Sequence, residues 1–220
     1  MVWILGARKA RRLQAADQFR VSRRATDEDV TALGEQLSEL HVDTLTAVLD
    51  EEMRADYQRA LDAYDKAKLQ LRKAATTADV AAVNVLLDDG RFARACVLAR
   101  RDGEELPQRR ESCFFNPQHG PAALEVEWKP SGGVARGIPV CRNDANRLAN
   151  GELPPVRMLR TAAGLVPWYA AGPYVSGAGQ GTAHVHGHEA YLTSNSMAEA
   201  QIRAALNAPG GMTGGGGFGI

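Results

Sequence analysis

The sequence predicts an α+β protein. An N-terminal helical hairpin or coiled-coil-like bundle precedes a small treble-clef-like module of a β-hairpin and a helix, and a Gly-rich tail follows. Three observations predict this order. Apolar residues recur every three or four positions through much of residues 25–106, as in amphipathic helices. All ten prolines and most glycines lie from Pro107 onward, where the composition changes. Residues Leu124–Trp128 alternate between apolar and polar, which is typical of a half-buried strand.

The composition sets broad limits on the class of protein. With 220 residues, 45% of them hydrophobic, the chain can form one or two domains with a substantial core. Basic and acidic residues number 26 each, so the overall charge predicts no nucleic-acid partner. Three cysteines are an odd number, so secretion as a disulfide scaffold is not supported. We therefore expect a cytoplasmic protein, or one at the cytoplasmic membrane surface.

Residues 1–24 form a basic N-terminal segment, which is predicted to be helical from residue 7 onward. Against the single acid Asp17, residues 8–24 contain Arg8, Lys9, Arg11, Arg12, Arg20, Arg23 and Arg24. The apolar run at the start of the chain ends at Leu5 and is too short for a signal peptide or a membrane span. The segment predicts either a solvated helix or a weak contact with a membrane surface.

The helical hairpin or bundle is predicted over residues 25–106. Thr26 is predicted to be an N-cap, with Asp29 three positions later in a capping-box-like arrangement. The apolar stripe that follows consists of Val30, Leu33, Leu37, Leu40, Leu45, Leu49, Met53, Tyr57, Leu61, Tyr64, Leu69 and Leu71. Because its phase shifts near residues 41–43, it indicates one long helix or two consecutive helices up to about Ala75.

Two further helices complete this region. The first is predicted to be capped near Thr76 and to end at Gly90, and the second to end near Arg101. Their apolar faces consist of Val80, Val83, Leu87, Phe92, Cys96 and Ala99. Packed as a hairpin or bundle, the helices would offer a face for self-association or for a protein partner.

Residues 107–160 are predicted to form a Cys/His-containing module. A polar linker at residues 107–111 comes first. The strand Leu124–Trp128 would pair with a second strand within residues 134–140, and a short helix over residues 141–149 would follow. The order of knuckle, hairpin and helix is the layout of a treble clef, a fold that commonly holds zinc.

Four residues of this module could hold a metal ion. Cys113 and His119 have five residues between them, and Cys141 stands at the predicted helix start with Asp144 one turn on. Cysteine, histidine and aspartate are all zinc ligands, and zinc in structural sites takes four of them. The dipole at a helix start also favours a thiolate at Cys141. The pattern therefore makes these four residues a candidate zinc site.

Three alternatives remain open at the sequence level. Cys113 and Cys141 could form a disulfide in an oxidising compartment. The module could also fold without metal, held together by packing of Phe114, Phe115, Trp128 and Leu148. A metal-dependent nuclease of the ββα-metal class would use His119 with Asn143 or Asn146, but it would need a second imidazole, which the neighbouring sequence lacks.

The C-terminal part of the chain is expected to be less regular. Residues 156–159 are predicted to form one more strand. Residues 161–220 are predicted to be Gly-rich and partly disordered, with one short helix within residues 197–206. The alternating residues His184, His186 and His188 form a second candidate metal site.

The module resembles a known one. The residues that carry the resemblance are the segments CFFNPQHGP at 113–121, VEWKP at 126–130, IPVCRNDA at 138–145, PVR at 155–157 and PWYAAGPY at 167–174. They are similar to the C-terminal module of uncharacterised actinobacterial proteins, many of which carry an N-terminal TPM domain, a transmembrane helix and a long helical region. The TPM domain and its phosphatase activity have no counterpart in this sequence, so the resemblance implies architecture and no chemistry.

No catalytic residue emerges from the sequence. It contains no readable Ser-His-Asp arrangement, and neither Gly-rich segment opens a helix after a strand as a phosphate-binding loop does. The sequence therefore favours a non-enzymatic interaction or scaffold protein. The alternative is a zinc-binding protein or a metal-dependent enzyme that uses the Cys/His module.

Overall fold

The described part of the chain is an α+β fold of four α-helices and two antiparallel β-hairpins, which confirms the predicted class. A computed structural model describes residues 2–129, 134–162 and 164–171. The α-helices are α1 (Val2–Thr44), α2 (Glu51–Lys73), α3 (Thr77–Arg101) and α4 (Arg142–Ala149). The strands are β1 (Leu124–Trp128), β2 (Arg136–Val140), β3 (Met158–Thr161) and β4 (Gly164–Pro167). Short 3₁₀ helices occur at Pro117–His119 and Trp168–Ala170.

Helices α1, α2 and α3 pack into a bundle around one apolar core, as the sequence predicts. The buried residues of this core are Val30, Leu33, Leu37, Leu40, Met53, Ala60, Ala67, Leu71, Val83, Leu87, Ala93 and Val97. The predicted stripe of α1 is therefore confirmed over residues 30–40. The N-cap near Thr76 is also confirmed, because its side chain and that of Asp79 form a complete capping box at the start of α3.

Helix α1 is continuous through Thr26, so the predicted N-cap at this residue is wrong. The Thr26 hydroxyl instead donates a hydrogen bond to Asn84 Oδ1 of α3 at 3.0 Å. Asp29 is likewise buried within the helix. Residues 7–30 contain no Gly or Pro, and their Ala, Arg, Gln and Leu residues favour helix, so nothing in the chain interrupts it there. The polar groups take partners from other elements instead.

A turn separates α1 from α2, so the alternative of two consecutive helices is confirmed. The Thr44 hydroxyl donates to the Leu40 carbonyl at 2.7 Å in the last turn of α1. Asp50 caps α2, because its Oδ1 accepts a hydrogen bond from the Met53 amide at 2.7 Å. Leu45, predicted to lie in the apolar stripe, is 66% exposed in the turn.

Small residues line the contact between α2 and α3, and two predictions fail there. The buried face of α2 is formed largely by Ala60, Ala63 and Ala67, whereas Leu69 of the predicted stripe is 50% exposed. Gly90 does not end a helix, because α3 runs through it to Arg101. A Cβ atom at Gly90 would lie 3.0 Å from Leu33 Cδ2 and 3.3 Å from Ala63 Cβ. The glycine therefore permits close approach of the helices.

The hairpin of β1 and β2 and the helix α4 form the centre of the C-terminal module. The strands pair in antiparallel register with Val126 opposite Ile138, and both side chains are buried. The predicted strands and the helix near residues 141–149 are confirmed, with Cys141 as the N-cap of α4. The module core consists of Cys113, Phe115, Val126, Trp128, Ile138, Val140, Cys141, Ala145 and Ala149.

A second hairpin follows the module core. Strand β3 overlaps the strand predicted at residues 156–159 only at Met158 and Leu159, and its partner β4 was not predicted. The hairpin crosses the boundary expected at residue 160, so regular structure continues into the segment predicted to be irregular. The short helix predicted within residues 197–206 lies outside the described residues. Among the described helices, none combines the length and the apolar character needed to cross a membrane.

Candidate metal centre

A tight knuckle brings Cys113 and His119 to the same side of the chain. The Asn116 side chain caps the 3₁₀ helix Pro117–His119, because its Oδ1 accepts a hydrogen bond from the Gln118 amide at 3.0 Å. Gly120 has a φ of 90°, a conformation that favours glycine, and its carbonyl accepts a hydrogen bond from the Cys113 amide at 3.0 Å. The knuckle thereby closes on itself.

The end of β2 and the start of α4 supply the other two residues. The Sγ of Cys141 accepts a hydrogen bond from the Asp144 amide at 3.4 Å, in the position where a serine or aspartate usually caps a helix. The knuckle is attached to this end of β2, because the Phe114 amide donates to the Pro139 carbonyl at 2.8 Å. Cys113 therefore lies beside the first turn of α4.

The side chains of Cys113, His119, Cys141 and Asp144 converge on one point. Their ligand atoms all lie within 4.8 Å of one another. Asp144 Oδ2 accepts a hydrogen bond from Cys113 Sγ at 3.1 Å and lies 2.9 Å from His119 Nδ1. His119 Nδ1 in turn lies 3.6 Å from Cys141 Sγ. The structure brings together all four residues that the sequence singles out.

Most of this cluster is buried. Cys113, Cys141 and Asp144 are buried, and only 1% of the Asp144 side chain is exposed. A buried carboxylate is unfavourable unless positive charge and hydrogen bonds compensate it. His119 has 29% of its side chain exposed, so the cluster reaches solvent on the histidine side.

The electrostatics of the cluster favour negative charge beside a cation. Hydrogen bonds that His119 donates to Asp144 and to the Cys113 sulfur raise the pKa of His119 to about 9. Burial alone would raise the pKa of Asp144, but hydrogen bonds from His119 and Cys113 outweigh it and hold that pKa below its ordinary value. A hydrogen bond from Cys113 lowers the pKa of the Cys141 thiol.

The pKa of Cys113 is shifted in the opposite direction to that of Cys141. Its hydrogen bond to Cys141, together with burial, raises the pKa of the Cys113 thiol far above the ordinary range. The cluster thus holds an anionic Asp144 beside a protonated His119, and the pKa of the Cys141 thiol lies below its ordinary value. A divalent cation would meet the same electrostatic demand with all four ligands.

The donor set and its spacing fit zinc. Two thiolates, one imidazole and one carboxylate are all zinc ligands, and in a tetrahedral shell such atoms lie about 3.4 to 3.8 Å apart. The separation of 3.6 Å between His119 Nδ1 and Cys141 Sγ is in that range. The two contacts of Asp144 are shorter because they are hydrogen bonds. The longest separation among the four ligand atoms is at most 4.8 Å, about 1 Å beyond the range of a tetrahedral shell.

A charged network joins the knuckle to α1, and sequence reasoning missed it. Gln118, the neighbour of His119, donates to Asp29 Oδ1 at 2.7 Å, and Arg157 donates to the same oxygen. Arg91 of α3, with 5% of its side chain exposed, lies 3.6 Å from it. The first two partners are 89 and 128 residues away in sequence, so no local pattern reveals them.

One signal in the sequence could have shown that Asp29 is buried. It lies three positions after Thr26 and four before Leu33, and so on the apolar face of α1. An acid in phase with an apolar stripe needs a buried partner. The sequence does not indicate which arginine provides it.

The disulfide, the nuclease and the second metal site were the other hypotheses about these cysteines and histidines. All three cysteines, Cys96, Cys113 and Cys141, are free thiols in the structure, so the disulfide alternative is not present in it. His119 is the only imidazole in the described cluster, so the nuclease alternative still lacks its second histidine. The candidate residues His184, His186 and His188 lie outside the described residues.

Comparisons of the chain with protein families, with curated proteins and with solved structures return no match.

Proposed function

We propose that this chain is a non-enzymatic zinc-binding protein in which zinc cross-links the knuckle to the start of α4. One observation carries the proposal. Four side chains from two separate segments, Cys113 and His119 of the knuckle and Cys141 and Asp144 of the helix, place their ligand atoms within 4.8 Å of one another. The treble-clef-like character of the module is part of the same proposal, because two ligands from a knuckle and two from a helix start define that arrangement.

A structural role is better supported than a catalytic one. Catalytic zinc commonly has three protein ligands and an open position for water, whereas structural zinc has four protein ligands. The four residues here would complete the shell. Asp144 and both cysteines are buried, which leaves little room for a substrate at the ion. No described observation favours a metal-dependent enzyme.

The proposed zinc would also hold the module against the bundle. His119 is followed along the same knuckle by a glycine and preceded by Gln118, whose side chain donates to Asp29 of α1. The Gln118 carbonyl accepts a hydrogen bond from the Gln36 side chain at 3.0 Å. An ion that fixes His119 would therefore also fix the segment that contacts α1. The resemblance to the actinobacterial module remains part of this proposal and concerns architecture alone.

Elemental analysis tests the proposal directly. Protein purified without a polyhistidine tag is expected to contain one zinc ion per chain, because the shell has four ligands for a single ion. Cys113→Ser and Cys141→Ser are each expected to lower the zinc content to near zero, since a hydroxyl is a poor substitute for a thiolate. Zinc per chain would be measured by mass spectrometry of the acid-digested protein.

Two controls make the result specific. Cys96→Ser changes a buried thiol of the bundle that lies outside the cluster, and it is expected to leave the zinc content unchanged. The triple variant His184→Ala, His186→Ala, His188→Ala should also keep its zinc. Loss of zinc in the triple variant alone would move the site to the C-terminal histidines. A folded wild-type protein that remains metal-free after incubation with zinc would contradict the proposal.

We further propose that the helical bundle, which we take to pack in a coiled-coil-like manner, serves as an interaction surface for a second copy or a protein partner. Apolar residues are exposed at the turn between α1 and α2, where Val48 is 96% and Leu45 is 66% exposed. Sedimentation of the full chain at increasing concentration is expected to show self-association that weakens in a Leu45→Ser, Val48→Ser variant. A monomer at all concentrations would contradict self-association.

A further inference from the structure

The N-terminal part of α1 extends beyond the bundle. Every described side chain in residues 6–20 is exposed or half-buried, and the first buried one is Val21. These 15 residues correspond to about four turns, or roughly 20 Å, of helix that lies outside the core. A stretch of helix in which no described side chain is buried requires an explanation, because most helices are stabilised by an apolar face.

The basic residues of this segment are concentrated on one side of the helix. At 3.6 residues per turn, the seven basic residues of positions 8–24 occupy an arc of about 220°. The acid Asp17 and the buried Val21 lie in the remaining sector, whereas the buried Ser22 lies just inside one edge of the basic arc. All seven basic residues are exposed, so this side of the helix presents positive charge to solvent. Arg11 lies at one edge of the arc and Arg12 near its middle, and both are exposed.

The charge of the whole chain is separated accordingly. Basic and acidic residues are equal in number over the full sequence, so the excess of bases in the projecting helix leaves the remainder of the chain acidic. An anionic surface would attract the helix and repel the rest of the protein. This charge distribution orients the protein with the helix towards the surface. Pairing of this helix with its counterpart in a second copy is disfavoured, because two such helices would repel each other.

The residue types in the helix favour a lipid surface over a nucleic acid. Residues 2–5 are Val, Trp, Ile and Leu, and tryptophan and leucine enter the interface between headgroups and acyl chains. Leu13 is 63% exposed within the basic segment. Such apolar side chains add to binding at a bilayer surface, whereas phosphate contacts on a nucleic acid use only the basic ones.

We propose that residues 2–24 of α1 dock this protein on the surface of a bilayer that contains anionic phospholipid. The basic arc contacts the headgroups and the apolar N-terminal turn enters the interface. The helix lies on the membrane and does not cross it. This docking is independent of the zinc site, because the segment makes no described contact with the Cys/His cluster.

Vesicle flotation tests the proposal with the full chain. The protein is expected to float with vesicles of phosphatidylcholine and phosphatidylserine but not with phosphatidylcholine alone, and the binding should weaken as salt is raised. The variant Arg8→Gln, Lys9→Gln, Arg11→Gln, Arg12→Gln is expected to bind at least about 100-fold more weakly, since each basic residue near an anionic membrane contributes roughly fivefold.

A matched variant on α2 provides the control. Lys66→Gln, Lys68→Gln, Arg72→Gln, Lys73→Gln removes the same charge from exposed positions of the bundle and is expected to leave vesicle binding largely unchanged. Equal loss in both variants would overturn the proposal, because it would indicate non-specific attraction. Equal binding to both kinds of vesicle would also overturn it. So would absence of vesicle binding together with salt-sensitive binding to duplex DNA, which would identify a nucleic acid as the partner. Circular dichroism and zinc content would verify that each variant is folded.

Discussion

Replacing Asp29 with alanine is expected to lower the free energy of unfolding by about 3 to 5 kcal/mol, because it leaves buried arginines without their carboxylate. Arg91 and Arg157 have only 5% and 9% of their side chains exposed, and both pair with Asp29. Gln118 loses its acceptor in the same variant. One substitution therefore removes partners from three side chains that meet at the joint between α1, α3 and the module.

The size of this effect depends on which other acids remain near the arginines. Arg91 would still face Asp88 at 3.4 Å, and Arg157 would still face Glu28 at 3.8 Å, so the loss should lie nearer the lower end of the range. Asp29→Asn, which preserves shape and can still accept a hydrogen bond, should give a smaller loss. Urea unfolding followed by circular dichroism would measure both values.

A neighbouring aspartate is the control for this prediction. Asp27 lies two residues away on the same helix but is exposed, and Asp27→Ala is expected to change the free energy of unfolding by less than about 0.5 kcal/mol. Equal stability of the Asp27→Ala and Asp29→Ala variants would show that the network contributes nothing to the fold.

The sequence predicts those features that depend on residues close together in the chain. The Thr76 cap requires only Asp79, and the strand Leu124–Trp128 is recognised from its own alternation. The candidate metal residues belong to this class too, since each pair lies within one short segment. A treble-clef layout then suggests that the two pairs meet, and the structure shows that they do.

Features that depend on distant contacts could not be predicted. Gly90 looks like a helix end by itself, and only the approach of Leu33 and Ala63 shows why α3 passes through it. Thr26 fits the pattern of an N-cap, and only its hydrogen bond to Asn84 of α3 explains its place inside α1. The burial of the alanine face of α2 could not be predicted either. Tyr57, Leu61 and Tyr64 follow the same helical period one position away, so the sequence allows either face to be the buried one. In each case the neighbouring helix decides between two local patterns that the sequence allows.

Removal of the proposed zinc ion is expected to unfold the module while the bundle persists. Zinc contributes about 10 to 16 kcal/mol of apparent binding free energy in zinc-finger peptides, comparable to or larger than the whole stability of a small domain. Without the ion, the buried Asp144 would depend on His119 and Cys113 alone for compensation. Helices α1, α2 and α3, by contrast, have their own apolar core.

The tryptophans allow the two parts to be followed separately. Of the three tryptophans, Trp128 lies in the module, Trp168 lies in the 3₁₀ helix after β4 and packs against Phe114 of the module, and Trp3 lies in α1. In a Trp3→Phe background all tryptophan signal therefore comes from the module and the segment packed against it. Chelation is expected to abolish the near-ultraviolet circular dichroism of these tryptophans. Most of the helical circular dichroism signal should remain, because it comes from α1, α2 and α3, which have 43, 23 and 25 residues. Thermal unfolding should then begin in the module.

Restoring the ion distinguishes a structural role from incidental binding. Added zinc is expected to recover the tryptophan signal, and added magnesium is not, because thiolate and imidazole ligands select zinc over magnesium. Cys113→Ser should show the unfolded signal before any chelator is added and should not respond to zinc. An unchanged signal after verified removal of zinc would mean that the hydrogen bonds of Asp144 hold the knuckle to α4 by themselves. The packing of Phe115 and Trp128 would then be sufficient for the fold, and the cluster would be a buried polar network with no need of a metal.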